Sequence, residues 1–154
     1  MKIVLLCRLL LLVFLTSFSI AGLAQTKRPA RLNHVALFVY DLNKTTTFYR
    51  DVIGLDTIPE PFHDGKHTWF KIGEHSQLHI IQGASGLTQH EKNSHLCFTV
   101  ASVSDFVTSL NKAGIPYEDR DGKKNTVTLR VDGVRQIYLK DPDNYWVEIN
   151  DDNY

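Results

Sequence analysis

Cysteine is scarce in this 154-residue chain: Cys7 and Cys97 are the only two, too few for a disulfide framework to carry a fold. Neither sign of charge is in excess, with 17 lysines and arginines against 17 aspartates and glutamates. A nucleic-acid binder would be expected to show a clustered basic surface, and this balance gives no sign of one. Hydrophobic residues make up 43% and charged residues 22%, ordinary globular usage that excludes wholesale disorder. The polar-free run Leu9 to Leu15 is short of the ~20 residues a bilayer-spanning helix needs, and Thr16, Ser17 and Ser19 follow it. What stands out is histidine, with 7 residues.

Lys2 and Arg8 frame that apolar run, and Ala21, Gly22, Leu23 and Ala24 close it with small side chains. A charged, then apolar, then small-residue order describes an export signal, expected here over residues 1–24 with cleavage after Ala24. Cleavage removes Cys7, Lys2 and Arg8, leaving Cys97 alone and 15 basic side chains against 17 acidic ones. The expected mature protein is periplasmic or secreted, with a short linker at residues 25–30 and one domain at 31–152. About 130 residues suffice for one core without disulfides.

Within that domain the same order of elements occurs twice. Residues 31–40 read as a strand buried on both faces, and Asp41 caps a helix whose stripe is Leu42, Phe48, Tyr49, Val52 and Ile53, ending at Gly54. Residues 55–61, broken by two prolines, are at most an edge strand, and two short strands follow at 67–72 and 77–81. Residues 94–100 restart the pattern: Ser102 caps a helix ending at Gly114, and strands follow at 126–131, 134–140 and 145–150. Asp141-Pro-Asp-Asn is the turn between the last two. Asn33-His34-Val35-Ala36-Leu37 aligns with Ser94-His95-Leu96-Cys97-Phe98, and Gln77-Leu78-His79-Ile80 aligns with Trp146-Val147-Glu148-Ile149. The expected fold is therefore α+β, two tandem βαβββ modules (31–83 and 93–152) with helices outside and mixed sheets forming a cleft.

His34, His79, His95 and Glu148 each interrupt an apolar strand. Alternation puts each on the face opposite Val35, Ile80, Leu96 and Ile149, so all four are predicted to project into the cleft. Three imidazoles and a carboxylate on one concave surface need a partner, and a divalent zinc, nickel, manganese or iron ion is a suitable one. Trp146 and Asn150 share the parity of Glu148 and Cys97 that of His95, so these join the substrate-binding candidates. Arg135 is a further candidate anchor for a substrate carboxylate. His63, His67, His75 and His90 read as surface residues, His67 with a place on the pocket rim.

The stretches Leu32-Asn-His-Val-Ala-Leu, Phe48-Tyr-Arg-Asp-Val-Ile-Gly-Leu, Gln77-Leu-His, Ser94-His-Leu and Ile137-Tyr-Leu-Lys-Asp-Pro-Asp-Asn-Tyr-Trp-Val-Glu resemble the vicinal oxygen chelate superfamily. That superfamily spans glyoxalase I, extradiol dioxygenases, methylmalonyl-CoA epimerase, fosfomycin-resistance transferases and bleomycin-binding proteins. The resemblance implies paired βαβββ modules, one divalent metal ion per site, and a small substrate that chelates it through vicinal oxygens. It places ligands at His34, His95 and Glu148, with His79 where glyoxalase I has glutamate. It leaves Glu148 as the only carboxylate ligand able to shuttle a proton. Three functions follow: a glyoxalase-like lyase or isomerase with Glu148 catalytic, a non-haem iron dioxygenase using His34, His95 and Glu148, or a non-catalytic small-molecule binder. A nucleic-acid partner is not expected, nor a membrane after signal cleavage, and a homodimer is compatible with each reading.

Overall fold

The computed structural model describes residues 29–152, so the expected export signal and most of the expected linker lie outside the described residues. From Leu32 onward the chain forms one compact unit. Its first module runs β1 (His34–Val39), α1 (Leu42–Thr47), β2 (Thr57–Ile58), β3 (His67–Lys71) and β4 (Gln77–Gln82). Its second runs β5 (His95–Thr99), α2 (Val103–Ala113), β6 (Thr128–Leu129), β7 (Arg135–Lys140) and β8 (Trp146–Asn150). The sheets have the same topology, β1-β4-β3-β2 and β5-β8-β7-β6, with the first pair parallel in each and the rest antiparallel. This is the α+β, twice-repeated βαβββ architecture expected from the sequence.

Each helix starts where a side chain satisfies its first free amides. Asp41 accepts from the Lys44 N–H, and Ser102 accepts from the Asp105 N–H. α2 ends at Gly114 with φ +68°, a left-handed conformation that favours glycine. α1 departs from the expected single helix: from Phe48 to Val52 it widens into a π turn, in which the Ile53 N–H reaches the Phe48 carbonyl at 3.2 Å. Phe48 and Tyr49 at the start of this turn are both buried.

The aliphatic side chains on the helix-facing sides of the sheets form the core: Leu37 and Val39 on β1, Leu78 and Ile80 on β4, Ile137 and Leu139 on β7, Val147 and Ile149 on β8. β1 differs from its expected burial on both faces. Leu37 and Val39 are buried, but His34, Ala36 and Phe38 on the other face are exposed, because none of the described residues covers that face.

The modules meet through the turn after β7. Asp143 accepts the Tyr40 N–H at 2.6 Å and the Thr45 hydroxyl at 2.5 Å, and the Tyr49 hydroxyl donates to Asp141 at 3.2 Å. The Tyr145 hydroxyl bridges the Phe38 N–H and carbonyl, at 3.3 and 3.1 Å, on β1. Asp141 also accepts the N–H groups of Asp143 and Tyr145, which shapes the turn, and Asn144 takes φ +66° within it.

Burial raises the Asp141 carboxyl from the ordinary 3.8 to about 6, against the opposing pull of its hydrogen-bond donors. The folded state then holds this proton more tightly than the unfolded chain. Its contribution favours folding below pH 3.8 and is lost as pH rises to about 6. That loss amounts to about 3 kcal/mol. In Asp141→Asn the side chain cannot ionise, while its oxygen still accepts both backbone amides. Urea unfolding from about pH 4 to 7 should show the parent losing stability relative to the variant as pH rises. Parallel pH profiles for the two proteins would refute the assignment.

Candidate metal centre

On the open face of the first sheet, β1 shows His34, Ala36 and Phe38, β4 shows Gln77, His79 and Ile81, and β3 shows His67, Trp69 and Lys71. His79 lies between Ala36 and Trp69 in the ladder. Its ring stacks on His34 at a centroid separation of 4.3 Å and on Trp69 at 3.9 Å. Gln77 Oε1 sits 2.8 Å from His79 Nε2, and Asn33 Oδ1 sits 2.7 Å from His34 Nδ1. An amide carbonyl at one ring nitrogen fixes the proton there and leaves the other nitrogen with its lone pair. Burial and the neighbouring His34 lower the basicity of His79, which favours the neutral, ligating form.

The second sheet repeats this pattern with different chemistry. β5 shows His95, Cys97 and Thr99, β8 shows Trp146, Glu148 and Asn150, and β7 shows Gln136, Tyr138 and Lys140. Glu148 is 7% exposed, and every donor around it is on this face. The Tyr138 hydroxyl donates to Oε2 at 2.6 Å and the Asn150 amide donates to Oε1 at 3.1 Å. Gln136 in turn donates to the Tyr138 hydroxyl at 3.0 Å. Burial and the bond to Glu148 push the Tyr138 phenol well above its ordinary range, so it stays a donor. A cavity of about 530 Å³ opens over Glu148, Tyr138 and Gln136.

His95 faces Glu148, with Nε2 3.2 Å from Oε2. Its Nδ1 lies 2.7 Å from the Lys92 carbonyl, which assigns the proton to Nδ1 and leaves Nε2 with a lone pair. A lone pair aimed at a carboxylate oxygen needs a cation between them, either a proton or a metal ion. The donor set fits a divalent ion: imidazoles held by second contacts, and a carboxylate oriented by two donors. The set comes in two halves, His34 with His79 and His95 with Glu148. Among the described residues, no three His, Cys, Asp or Glu side chains gather to hold an ion within one chain.

Trp146 and Asn150 lie where parity puts them, Asn150 on Glu148 itself and Trp146 with its indole N–H on the His90 carbonyl at 3.1 Å. Cys97 is beside Glu148 in the ladder, and Asn150 approaches its sulfur at 3.2 Å. Arg135 does not join the group. It has the parity of Ile137, not of Glu148, and is exposed, paired with Asp151 at 3.6 Å. His67 does lie on the open face, held by Asp64 at 2.9 Å beside Phe62. Two residues escaped the sequence reading, Tyr138 and Gln136. Their signal was the hairpin register, which pairs Tyr138 with Glu148 and Gln136 with Asn150.

This fold defines a paired-module protein with a polar quartet on the open faces of its two sheets. The chain belongs to the Glyoxalase/Bleomycin resistance protein/Dioxygenase superfamily, whose model matches residues 31–149. It is 35% identical over 96 residues to the mitochondrial methylmalonyl-CoA epimerase of Mus musculus, covering 55% of this chain and 54% of that protein. It is 25% identical over 152 residues to a lactoylglutathione lyase of Pseudomonas putida, covering 76% and 82%. The crystal structure of the fosfomycin resistance protein FosX from Listeria monocytogenes superposes with TM-score 0.63 at 26% identity, covering 80% and 93%. Among its relatives are thus a lyase, an epimerase and a resistance protein.

Although Cys97 is exposed as a residue, partial desolvation of its sulfur and the Glu148 carboxylate beside it push the thiol up to about 12. In metal-free protein near pH 8, iodoacetamide should alkylate Cys97 at least about a hundredfold more slowly than free cysteine. Glu148→Gln should speed the reaction by removing the adjacent charge. A rate like that of free cysteine in the parent would contradict this environment.

Proposed function

We propose that the protein is a metal-dependent lyase or isomerase acting on a small substrate that chelates a divalent ion through vicinal oxygens. The observation that carries this reading is the occurrence of His34, His79, His95 and Glu148 at equivalent open-face positions of the two sheets. The lyase and epimerase among the relatives support it. A bound divalent cation supplies Lewis acidity that stabilises negative charge developing on substrate oxygen. Glu148 moves the proton on the adjacent carbon, since it is the one carboxylate in the quartet. Tyr138 and Asn150 hold its two oxygens in place, each through one hydrogen bond, which leaves lone-pair capacity on the carboxylate for the proton. The charged, apolar, small-residue order of residues 1–24 supports, as part of this proposal, a reaction in the periplasm or outside the cell.

Because the two halves of the quartet do not gather among the described residues of one chain, we place each ion between two copies in a homodimer. The first-module pair of one copy meets the second-module pair of the other. The exposed apolar Phe38, 55% accessible on the same face as His34, suits burial in such an assembly. A second reading has one observation in its favour: Gln77 already engages His79 Nε2. With His79 kept there, His34, His95 and Glu148 form the two-histidine, one-carboxylate set of ferrous oxygen chemistry. Oxygen uptake by iron-loaded protein, with a catechol panel, separates it from the lyase reading.

Chelation should lower the melting temperature, since an ion at a hundredfold excess over its Kd stabilises the folded state by about 2.7 kcal/mol. Glu148→Gln at saturating metal should cost about 10² to 10⁴ in single-turnover rate, whereas His79→Gln should shift metal preference more than the chemical step. Unchanged melting and metal content after chelation would sink the metal-dependent reading.

The shared site has its own test. A chain carrying His34→Ala and His79→Ala, and another carrying His95→Ala and Glu148→Ala, should each fail to retain metal. Co-expressed, they should form mixed dimers in which one site is intact and regain metal. No recovery, with dimers confirmed by light scattering, would place both halves in a single chain.

A further inference from the structure

Lys140 and Trp146 are direct cross-strand partners on the open face of the second sheet, one rung from the Tyr138–Glu148 pair. Beside them is a second cavity, of about 470 Å³, lined in part by Lys124, Asn125, Lys140, Trp146 and Tyr138. Its lining carboxylate, Glu118, is already neutralised by Lys92 at 2.6 Å. Lys92 gives its remaining protons to the carbonyls of Asp119 and Arg120, at 2.9 and 3.2 Å, so it serves as a saturated support.

Lys140 is in a different state. Its ammonium donates to Gln89 Oε1 at 3.0 Å and sits 4.7 Å from the centroid of the Trp146 ring, with donor capacity left over. Among the described residues, no carboxylate lies within ion-pair distance of Lys140 or Lys124. Two uncompensated cations in one concave, aromatic-walled space attract an anion. The neighbouring cavity over Glu148 does not share this character. Its Arg130 is bound by Asp132 and Asp152, and Asp121 and Glu148 also line it.

We propose that the Lys124–Lys140–Trp146 cavity binds an oxyanion group, carboxylate or phosphate, of the substrate. This rests on the reading of Glu148 as the proton-moving group and narrows the substrate to small acids. Residues two apart on a strand face are separated by about 6.6 Å, so an anion at Lys140 lies about 7 Å from the Glu148 rung. The charged group of the substrate then sits on the order of five bonds from the carbon that Glu148 addresses. Lys140 and Trp146 set that distance, and Lys124 contributes the second charge.

The test uses metal-stripped protein titrated with inorganic phosphate, with malonate and with chloride at constant ionic strength, followed by tryptophan fluorescence and calorimetry. Phosphate or malonate should bind at least about tenfold more tightly than chloride, and the tighter of the two identifies the oxyanion. The double variant Lys124→Gln/Lys140→Gln should weaken that binding at least about tenfold, while Lys124→Arg/Lys140→Arg should keep it within about threefold. Absence of any preference over chloride, or a glutamine double variant that binds like the parent, overturns the proposal. Since no metal is present, failure here with metal dependence intact removes the subsite alone. Oxyanion binding without metal dependence would instead remove the reaction reading of Glu148 and leave the subsite standing.

Discussion

Strands present alternate side chains to opposite faces, and in both sheets the helices claim one of those faces. Val35, Leu37 and Val39 on β1, Leu78 and Ile80 on β4, and their counterparts Leu96, Phe98, Val147 and Ile149 all turn toward the core. Fully burying each such side chain stabilises the fold by roughly 1.5–3 kcal/mol, so a slip of one residue in any strand would forfeit several of these contacts together. The same slip would drive His34, His79, His95 or Glu148 into the apolar layer. Packing on one face thereby fixes the chemistry of the other, and the polar quartet needs no device of its own to point outward.

The turn after β7 couples that face to the rest of the molecule. Asp141 sets the hairpin by accepting two backbone amides, and the hairpin register pairs Tyr138 with Glu148. Through Tyr49, Tyr40 and Thr45, the same turn grips the first module. One short polar segment therefore determines both the hydrogen bond that orients the carboxylate and the docking of the modules. Asp141 and Asp143 tolerate burial because each accepts at least two hydrogen bonds, as a buried carboxylate requires.

The repeat, the order of elements along the chain and the outward parity of the quartet were legible in the sequence because each follows from apolar periodicity and from duplication. The two helix caps were legible for a local reason, since Asp41 and Ser102 act within three residues of themselves. The partners of Glu148 were not. Tyr138 and Gln136 become its neighbours only through a register set by the Asp141 turn, and β-parity alone gives a face without a partner. The face of Arg135 was open for the same reason: one residue of uncertainty in that hairpin moves a side chain to the opposite face. The exposed face of β1 was hidden too, because His34, Ala36 and Phe38 read as a buried run when nothing in the sequence says what lies across them. The division of the quartet into two halves depends on how the sheets sit in space, which periodicity does not encode.

The two open faces have diverged at matched positions, and the divergence assigns them different tasks. His34 corresponds to His95 and Gln77 to Trp146, while Trp69 corresponds to Tyr138 and His79 to Glu148. In the first sheet, the changes produce a stack of rings, with His79 clasped between His34 and Trp69 and its basicity lowered. Such a face suits neutral nitrogen ligands held in fixed orientation. In the second, a phenol replaces the indole and a carboxylate replaces the imidazole, so the hydroxyl can donate where the carboxylate must accept. Trp69 could not do the same for Glu148, because its indole N–H lies at the far side of a ring that, in the first sheet, stacks on the ligand rather than bonding to it; there its Nε1 is buried without an acceptor among the described residues. The substitution of tyrosine for tryptophan on β7 and that of glutamate for histidine on β8 are thus one change in two places. Together they give the second face a buried carboxylate with a hydroxyl donor where the first face has an imidazole stacked on an indole.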